Sequence, residues 1–344
     1  MAAIKPAIRP STPADAPAIC ALFVERGMPL SFETRFLDWK YWQPRDDWAR
    51  PRSFVVTRGN ELIAHTGIVP GTYAWAGRRV ATLQMIDWVA RPGTGAGVAL
   101  LKYIGHMSEA LMAIGGGPET LRILPQVGFC PAGVATAYAR PLFPMRIVRA
   151  GATRKLLPRL ARALWRRSAL MPTDGQCQAR RLSSADLSQI ATVLPRPLDG
   201  MAVSERTVGL FRYLLSCPTV PMQLFAIEIA GRVRGYFLLA SVAGQARIAD
   251  CWMESDDPLD WRALILCAIE QAQRDPHAAE VVMLASDRLL AEVLGSCGFY
   301  PRFECPIQVR LANGDTMPEG TLRVQMLDND LAYLWEEGRN AYWG

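Results

Sequence analysis

Histidine is scarce, with 3 in 344 residues, and no two cysteines form a CxxC pair. A zinc site built from such ligands is therefore not expected, and neither is any other bound metal. The cysteines (Cys20, Cys130, Cys177, Cys217, Cys251, Cys267, Cys297 and Cys305) are scattered, mostly in apolar surroundings. They read as reduced core thiols. No apolar run reaches the length of a membrane span, and the N-terminus lacks a signal-peptide core. A cytoplasmic protein is the expectation. Charged residues are only 20% of the chain against 50% hydrophobic, which excludes a disordered polymer.

The net charge of +6 is mild but uneven. Between residues 151 and 170 stand Arg154, Lys155, Arg159, Arg162, Arg166 and Arg167, with no acid among them. Leu157, Leu160, Leu164 and Trp165 can share one helical face. This segment reads as a basic amphipathic helix, either a solvated linker or a surface for nucleic acid or anionic membrane.

The length suits two domains, each with its own core. The most informative stretch is Leu83 to Ile104. Leu83 to Val89 predicts a buried strand, and Gly97 to Ile104 opens an apolar helix. Between them lies Arg91-Pro-Gly-Thr-Gly-Ala-Gly97. A strand, a glycine-rich turn and a helix make an anion site. Glycine lets backbone approach a phosphate, and the first N–H groups of the helix point at it.

Upstream, a short edge strand at residues 7–10 precedes a helix from Ser11 to about Arg26 and another from Phe32 to Trp42. Strands follow at Ser53–Thr57 and Leu62–Val69. Downstream, the pattern predicts a helix running to about Met112 and a short strand near Ala113. A helix from Pro118 to Val127 and a strand from Ala135 to Pro141 follow. From Cys177 the order returns: a strand at Gln178–Leu182, helices at Ser184–Leu194 and Glu205–Leu215, and three strands between Met222 and Met253. A helix at Trp261–Arg274, a strand at Glu280–Ala285, a helix at Arg288–Cys297 and a strand at Pro306–Leu311 complete it. Thr321–Met326 and Leu331–Gly338 read as a last strand and a short helix.

Three matches recur in order between the halves. Trp39-Lys-Tyr41 pairs with Phe211-Arg-Tyr213, Gln84-Met-Ile-Asp-Trp88 with Arg247-Ile-Ala-Asp-Cys251, and Val127-Gly-Phe-Cys-Pro131 with Cys297-Gly-Phe-Tyr-Pro301. This suggests duplication of one fold. The halves part after the shared acid. Asp87 leads to the glycine turn, whereas Asp250 leads to Met253-Glu-Ser-Asp-Asp-Pro-Leu-Asp260, which has no glycine and would repel a phosphate.

On these features the chain resembles the GNAT superfamily of acyl-CoA N-acyltransferases, in a tandem arrangement with a degenerate second copy. The element order, the strand–turn–helix from Asp87 to Leu101 and the Gly128-Phe129 step carry the resemblance. It implies a mixed α/β fold of two GNAT-like domains, each a mostly antiparallel central sheet flanked by helices. They would span residues 1–148 and 176–344, with a basic helical linker at 149–175. The family's pyrophosphate loop is usually Gln/Arg-x-x-Gly-x-Gly/Ala after Val-x-Pro. Here Val89 and Pro92 resemble the leading Val and Pro, Gly95-Ala-Gly97 supplies the glycines, and Pro92 stands where Gln or Arg is usual.

The resemblance implies acetyl-CoA or another acyl-CoA held by Val89, Gly93, Gly95, Ala96, Gly97 and Val98. It also implies direct transfer to an amine of a small molecule or peptide. The thioester carbonyl would meet a backbone N–H near Trp88 to Ala90. Transfer needs a base for the amine and an acid for the thiolate. Asp87 is a candidate base or amine anchor, or else a paired structural carboxylate. His65 is a candidate base, or else a satisfied buried histidine. Tyr138 is a candidate acid. Lys40 and Tyr41, matched by Arg212 and Tyr213, suggest a role in the fold, and Cys130 reads as a core thiol. The aromatic cluster of Trp39, Tyr41, Trp42, Trp48, Tyr73 and Trp75 suits either a pocket for a flat or sugar-like acceptor or core packing.

Two other functions stay open: a Fem-like aminoacyl-tRNA-dependent transferase whose basic segment holds RNA, and a non-catalytic binding protein. A dinucleotide-binding oxidoreductase is disfavoured, because its glycine loop should follow the first strand.

Overall fold

The period-2 and continuous apolar runs build one large sheet, with helices of 3.6-residue apolar period laid on its faces. The computed structural model describes residues 5–28, 34–143, 146, 177–312 and 320–334. Strand β1 (Ala7–Pro10) leads through a 3-10 turn (Pro13–Asp15) to α1 (Ala16–Glu25). Helix α2 (Thr34–Leu37) continues as a π-helical turn (Asp38–Trp42). Strands β2 (Ser53–Arg58), β3 (Glu61–Trp75) and β4 (Arg78–Ala90) are antiparallel neighbours. Then come α3 (Ala96–Ile104), β5 (Ala110–Ile114), α4 (Pro118–Ile123) and β6 (Cys130–Pro141).

The second half holds β7 (Cys177–Arg181), a 3-10 segment (Leu187–Val193), β8 (Met201–Ser204), α5 (Val208–Leu215), β9 (Met222–Ile229), β10 (Arg232–Val242) and β11 (Gln245–Met253). It ends with α6 (Pro258–Gln273), β12 (Glu280–Ala285), α7 (Arg288–Ser296), β13 (Tyr300–Leu311), β14 (Thr321–Arg323) and a 3-10 turn (Met326–Asp328).

The sheet runs β1-β2-β3-β4-β5-β13-β6-β12-β11-β10-β9-β7. Read from either edge, the order is the same once β6 and β13 are treated as equivalents. Each half gives its last strand to the other: β13 pairs with β5, and β6 pairs with β12. The two exchanged strands lie side by side at the centre. Parallel pairing on this path occurs at the matching places β4–β5 and β11–β12.

The sheet and most elements follow the expected order, with local differences. Helix α3 ends at Ile104 rather than near Met112. Gly105 at its end makes room for the Arg310 guanidinium, which a side chain there would meet. Ala110–Met112 then pair with β4 on one side and β13 on the other. The segment after Ser184 forms a 3-10 helix, not an α-helix. Strand β8 was not expected; it bridges β3 and β14. The last strand stops at Arg323, and Leu331–Tyr333 form a turn rather than a helix. The basic segment 151–170 lies outside the described residues.

On one face, Leu100, Leu101 and Ile104 of α3 pack on Phe54, Ile63, Leu83, Met85 and Leu111. Each such side chain contributes about 1.5–3 kcal/mol on burial. On the other face, the chain after β14 runs beneath the sheet and supplies Asp328 and Asp330. Arg206 is buried between Asp250 (2.8 Å) and Asp328 (3.0 Å), and Tyr236 donates its hydroxyl to Asp250 at 2.7 Å. Burial opposes the Arg206 charge, but the two carboxylates outweigh it and raise its pKa further above the usual range.

Removing that cation leaves two buried carboxylates uncompensated. Arg206→Met should destabilise the protein by roughly 3–5 kcal/mol in urea unfolding. Adding Asp250→Asn and Asp328→Asn should recover most of the loss. A single variant within about 0.5 kcal/mol of wild type would contradict the assignment.

Candidate functional site

Strands β4 and β5 pair over three rungs only, Thr82 with Ala110, Leu83 with Leu111 and Gln84 with Met112. Beyond Gln84 they diverge, so Met85 to Ala90 has no strand partner on that side. Within the diverged segment, β4 bulges against β3. His65 of β3 pairs with Val89, but Gly67 pairs with Ile86, so Asp87 and Trp88 together face Thr66. Asp87 sits in the left-handed region at φ 48°. That conformation costs roughly 1–2 kcal/mol for a residue with a Cβ, and buried contacts hold it.

Tyr41 donates its hydroxyl to the Asp87 carboxylate at 2.5 Å, and Lys40 Nζ lies 2.5 Å from the same oxygen. Lys40 also donates to Asp330 at 2.8 Å. The Lys40 and Asp87 side chains are only 2% and 3% exposed. Burial opposes ionisation of Asp87, but Lys40 and the Tyr41 hydrogen bond outweigh it and hold the carboxyl below its ordinary value. Burial and the neighbouring Asp87 push Asp330 up, against the pull of Lys40. Gly67 makes the Tyr41 contact possible. A Cβ there would lie 2.9 Å from the Tyr41 ring.

His65 is fully buried beside the same bulge. Its Nδ1 lies 3.2 Å from the Asp87 carbonyl, which can only accept, so Nδ1 carries the hydrogen. Nε2 then accepts from the Ser53 hydroxyl at 2.9 Å. Ser53 accepts from Ser11 (2.6 Å), and Ser11 from Trp42 Nε1 (3.1 Å). Burial lowers the His65 pKa to about 4, so the ring is neutral at pH 7 with both nitrogens engaged.

At the open end of the divergence lies a cavity of about 660 Å³. Trp88 to Gly95 line one side, with Gly97 and Val98 of α3, and Gly117 to Thr120 line the other. Gly93 and Gly95 have φ of 70° and 67°, and a side chain at either would meet open space. The conformation favours glycine, while the space would admit a side chain. Gly95 caps α3 without a side chain; Ala96 N–H donates to the Thr94 hydroxyl at 3.3 Å, and the N–H groups of Gly97 and Val98 that follow are left to a ligand. Arg26, Arg91 and Arg122 also line the cavity. Arg91 pairs with Glu25 and Glu61, and Arg26 with Glu119, whereas Arg122 has no carboxylate partner among the described residues. The wall suits an anion.

The structure thus gathers Val89, Gly93, Gly95, Gly97 and Val98 around one cavity. Ala96 is buried behind them. Asp87 and His65 meet at the bulge and are sealed from this cavity. Tyr138 lies on β6, with β13 between its strand and β5. Trp39 stacks on Tyr213 with ring centres 4.7 Å apart, and Trp75 is buried, so these aromatics are core. Lys40 and Arg212 do not match in role: Lys40 is buried in the Asp87 cluster, and Arg212 pairs with Asp46 at the surface. Sequence reasoning missed Asp330 and Asp328. The available signal was two acids in the apolar run after Thr321. In the second half, the corresponding helix end is filled by the chain itself, because the Asp257 carboxylate accepts from Leu259 N at 2.8 Å.

Solved structures share this fold. A GCN5-related N-acetyltransferase from Anabaena variabilis matches at a TM-score of 0.58 and 13% identity, over 90% of this chain and 73% of that one. The chain has a GNAT fold. N-myristoyltransferase from Saccharomyces cerevisiae with bound myristoyl-CoA matches at a TM-score of 0.64 and 14% identity, over 89% of this chain and 78% of that one. A probable N-acyltransferase from Enterococcus faecalis matches at 0.59 and 11%, over 90% and 73%. At the sequence level, no family model and no curated protein matches. No described helix is long and apolar enough to cross a membrane, and no cluster fit for a metal occurs among the described residues.

The His65 assignment has a pH signature. The ring ionises at about 4 in the fold and near 6.5 unfolded, so the unfolded chain binds the extra proton between those values. Stability should rise with pH across that window and be flat above it, by about 3 kcal/mol for this group. Urea unfolding at about pH 4 and pH 7 should show His65→Gln losing that part of the pH dependence. An unchanged slope would mean the ring is not held neutral.

Proposed function

We propose that this chain is a cytoplasmic N-acyltransferase that moves an acetyl group from acetyl-CoA directly to an amine. The observation that carries the reading is the β4 segment Met85 to Ala90, unpaired on its β5 side, opening onto a cavity whose far end is the glycine turn and the α3 N-terminus.

The residues fit the cofactor. Gly93, Gly95 and the first turn of α3 would hold the pyrophosphate, with Arg122 as the cation free to join it. The pantetheine arm would follow the gap between β4 and β5. Bound there, acyl-CoA supplies an acyl group activated as a thioester. Backbone N–H groups of β4 past the bulge would hold its carbonyl oxygen and the charge that develops on it. Asp87, Lys40, Tyr41 and His65 fix that backbone and do not exchange protons themselves. The amine nitrogen forms a bond to the acyl carbon, the carbon–sulfur bond breaks, and the proton lost by the amine balances the thiolate. The first half acts as the catalytic domain. The second is a degenerate copy, since Asp257 stands where the phosphate would bind.

The test is calorimetry with acetyl-CoA on wild type and on Gly93→Glu with Gly95→Glu. These positions have room for side chains, whereas one at Gly97 would press on Trp88 and Ala90. Saturable binding that the double change lowers at least tenfold is expected. A folded wild type that binds no CoA thioester would overturn the reading.

A further inference from the structure

A second, smaller cavity of about 160 Å³ lies on the sheet face opposite α3, at the closed end of the same divergence. Its floor includes Gln84 and Met112, the last paired rung of β4 and β5. The alternation of β4 fixes this side: Leu83 and Met85 pack under α3, so Thr82 and Gln84 point the other way. The larger cavity opens at Trp88 to Gly95, at the other end of the segment that has left β5. The two cavities therefore lie at opposite ends and on opposite faces of Met85–Ala90.

The small cavity is mixed in character. Thr82, Gln84, Tyr73, Ser204 and Asp328 line it beside Val69, Met112, Leu210 and Leu327, with Trp48 at its side. Three of its polar atoms are buried without a hydrogen-bond partner: the Gln84 Oε1 acceptor, the Trp48 Nε1 donor and the Tyr73 hydroxyl, which can do either. Gln84 is 4% exposed, and its own Nε2 is engaged with the Met85 carbonyl at 3.2 Å. Leaving such groups unmet costs about 1–3 kcal/mol each. A ligand carrying both a donor and an acceptor would satisfy them. The Asp328 carboxylate is already held by Arg206 at 3.0 Å, so it adds polarity rather than a free charge. The cavity is smaller than the roughly 300 Å³ at which drug-sized sites begin. An alkyl chain would leave its buried polar atoms unmet.

We propose that this cavity is the acceptor site and takes a small polar primary amine bearing hydroxyl or amide groups, such as an amino sugar or an amino-acid amide. The assignment rests on the acyltransferase reading above. Gln84 accepts from the substrate and Trp48 donates to it, which places the amine at the closed end of the gap. The thioester enters from the open end. A peptide chain or a long-chain amine does not fit.

The experiment measures release of CoA thiol from acetyl-CoA against three acceptor sets: glucosamine and glycinamide, an octapeptide with a free N-terminus, and dodecylamine. Wild type is compared with Gln84→Leu and Trp48→Phe, and acetyl-CoA binding to each is followed by calorimetry. Turnover of the small polar amines is expected. Each variant should raise the KM for the amine about tenfold or more, while the affinity for acetyl-CoA stays within twofold. Gln84→Glu, which keeps the acceptor, should recover more of the amine affinity than Gln84→Leu.

If acetyl-CoA binds but only the peptide or dodecylamine is turned over, the acceptor assignment falls and the acyltransferase reading stands. The acceptor assignment also falls if acetyl-CoA binds and no acceptor is turned over, or if the variants leave the amine KM unchanged, in which case the cavity holds solvent. If wild type binds no CoA thioester, both fall together.

Discussion

The contact on which the site depends is the salt bridge between Lys40 and Asp87. A strand cannot leave its neighbour and take a left-handed residue without some local gain. Here the gain is a carboxylate shared by Lys40 and Tyr41, with Asp330 on the far side of the ammonium. The cluster ties together three distant segments: the π-helical turn, the middle of β4 and the chain after β14. Buried ion pairs contribute little net stability compared with apolar packing, but losing one partner is costly. Such a cluster therefore specifies one geometry more than it strengthens it. The geometry specified is the β4 bulge and the opening beside it.

The second half provides an internal comparison. Asp250 occupies the matching strand position, with Tyr236 and Arg206 as its hydroxyl and cation and Asp328 as the second acid. The cation comes from a different place in the chain, just after β8 rather than within the helix before β2. The same chemistry thus supports both strands by different routes, and the extra residue on β11 lies at Ala249, between the partners of Leu238 and Leu239. What differs is the following turn. Glycine at the N-cap of α3 leaves the helix end open, whereas Asp257 closes the end of α6 with its own carboxylate. An acid at an N-cap stabilises the helix by about 0.5–2 kcal/mol and removes the anion site at the same time. One half of the fold keeps the scaffold and gives up the opening.

Much of this was legible in the residues because it is local. The glycine turn, the strand before it and the acids Asp87 and Asp250 follow from period, turn chemistry and the rarity of charge in an apolar strand. Strands β9 and β12 fall on the expected residues. The exchange of β6 and β13 was not legible, because no local pattern says which edge a strand will join. The end of α3 was missed for the same reason. Ala110–Met112 are good helix formers that become strand only because β4 and β13 flank them. Lys40 looked like a repeat match for Arg212, yet its partners are 47 and 290 residues away in sequence. Pairing at that separation leaves no trace beyond the bare fact of two acids in an apolar tail.

The titratable groups nearest the bulge are fixed, and this bears on how the site can work. His65 ionises far below neutrality, and its two nitrogens are already engaged. Asp87 is held ionised by a cation whose own pKa its partners raise. Neither has a proton to give or take near pH 7, and neither reaches the cavity. In the proposed acyl transfer the bulge would therefore act through oriented backbone and not through acid–base exchange. A rigid row of amide dipoles needs no reorganisation when charge develops on a carbonyl oxygen, and its effect is larger in a gap shielded from water. The sealed ionic cluster and the open gap are thus two sides of one device. The charges are buried so that the backbone cannot move, and the immobile backbone is what the gap presents.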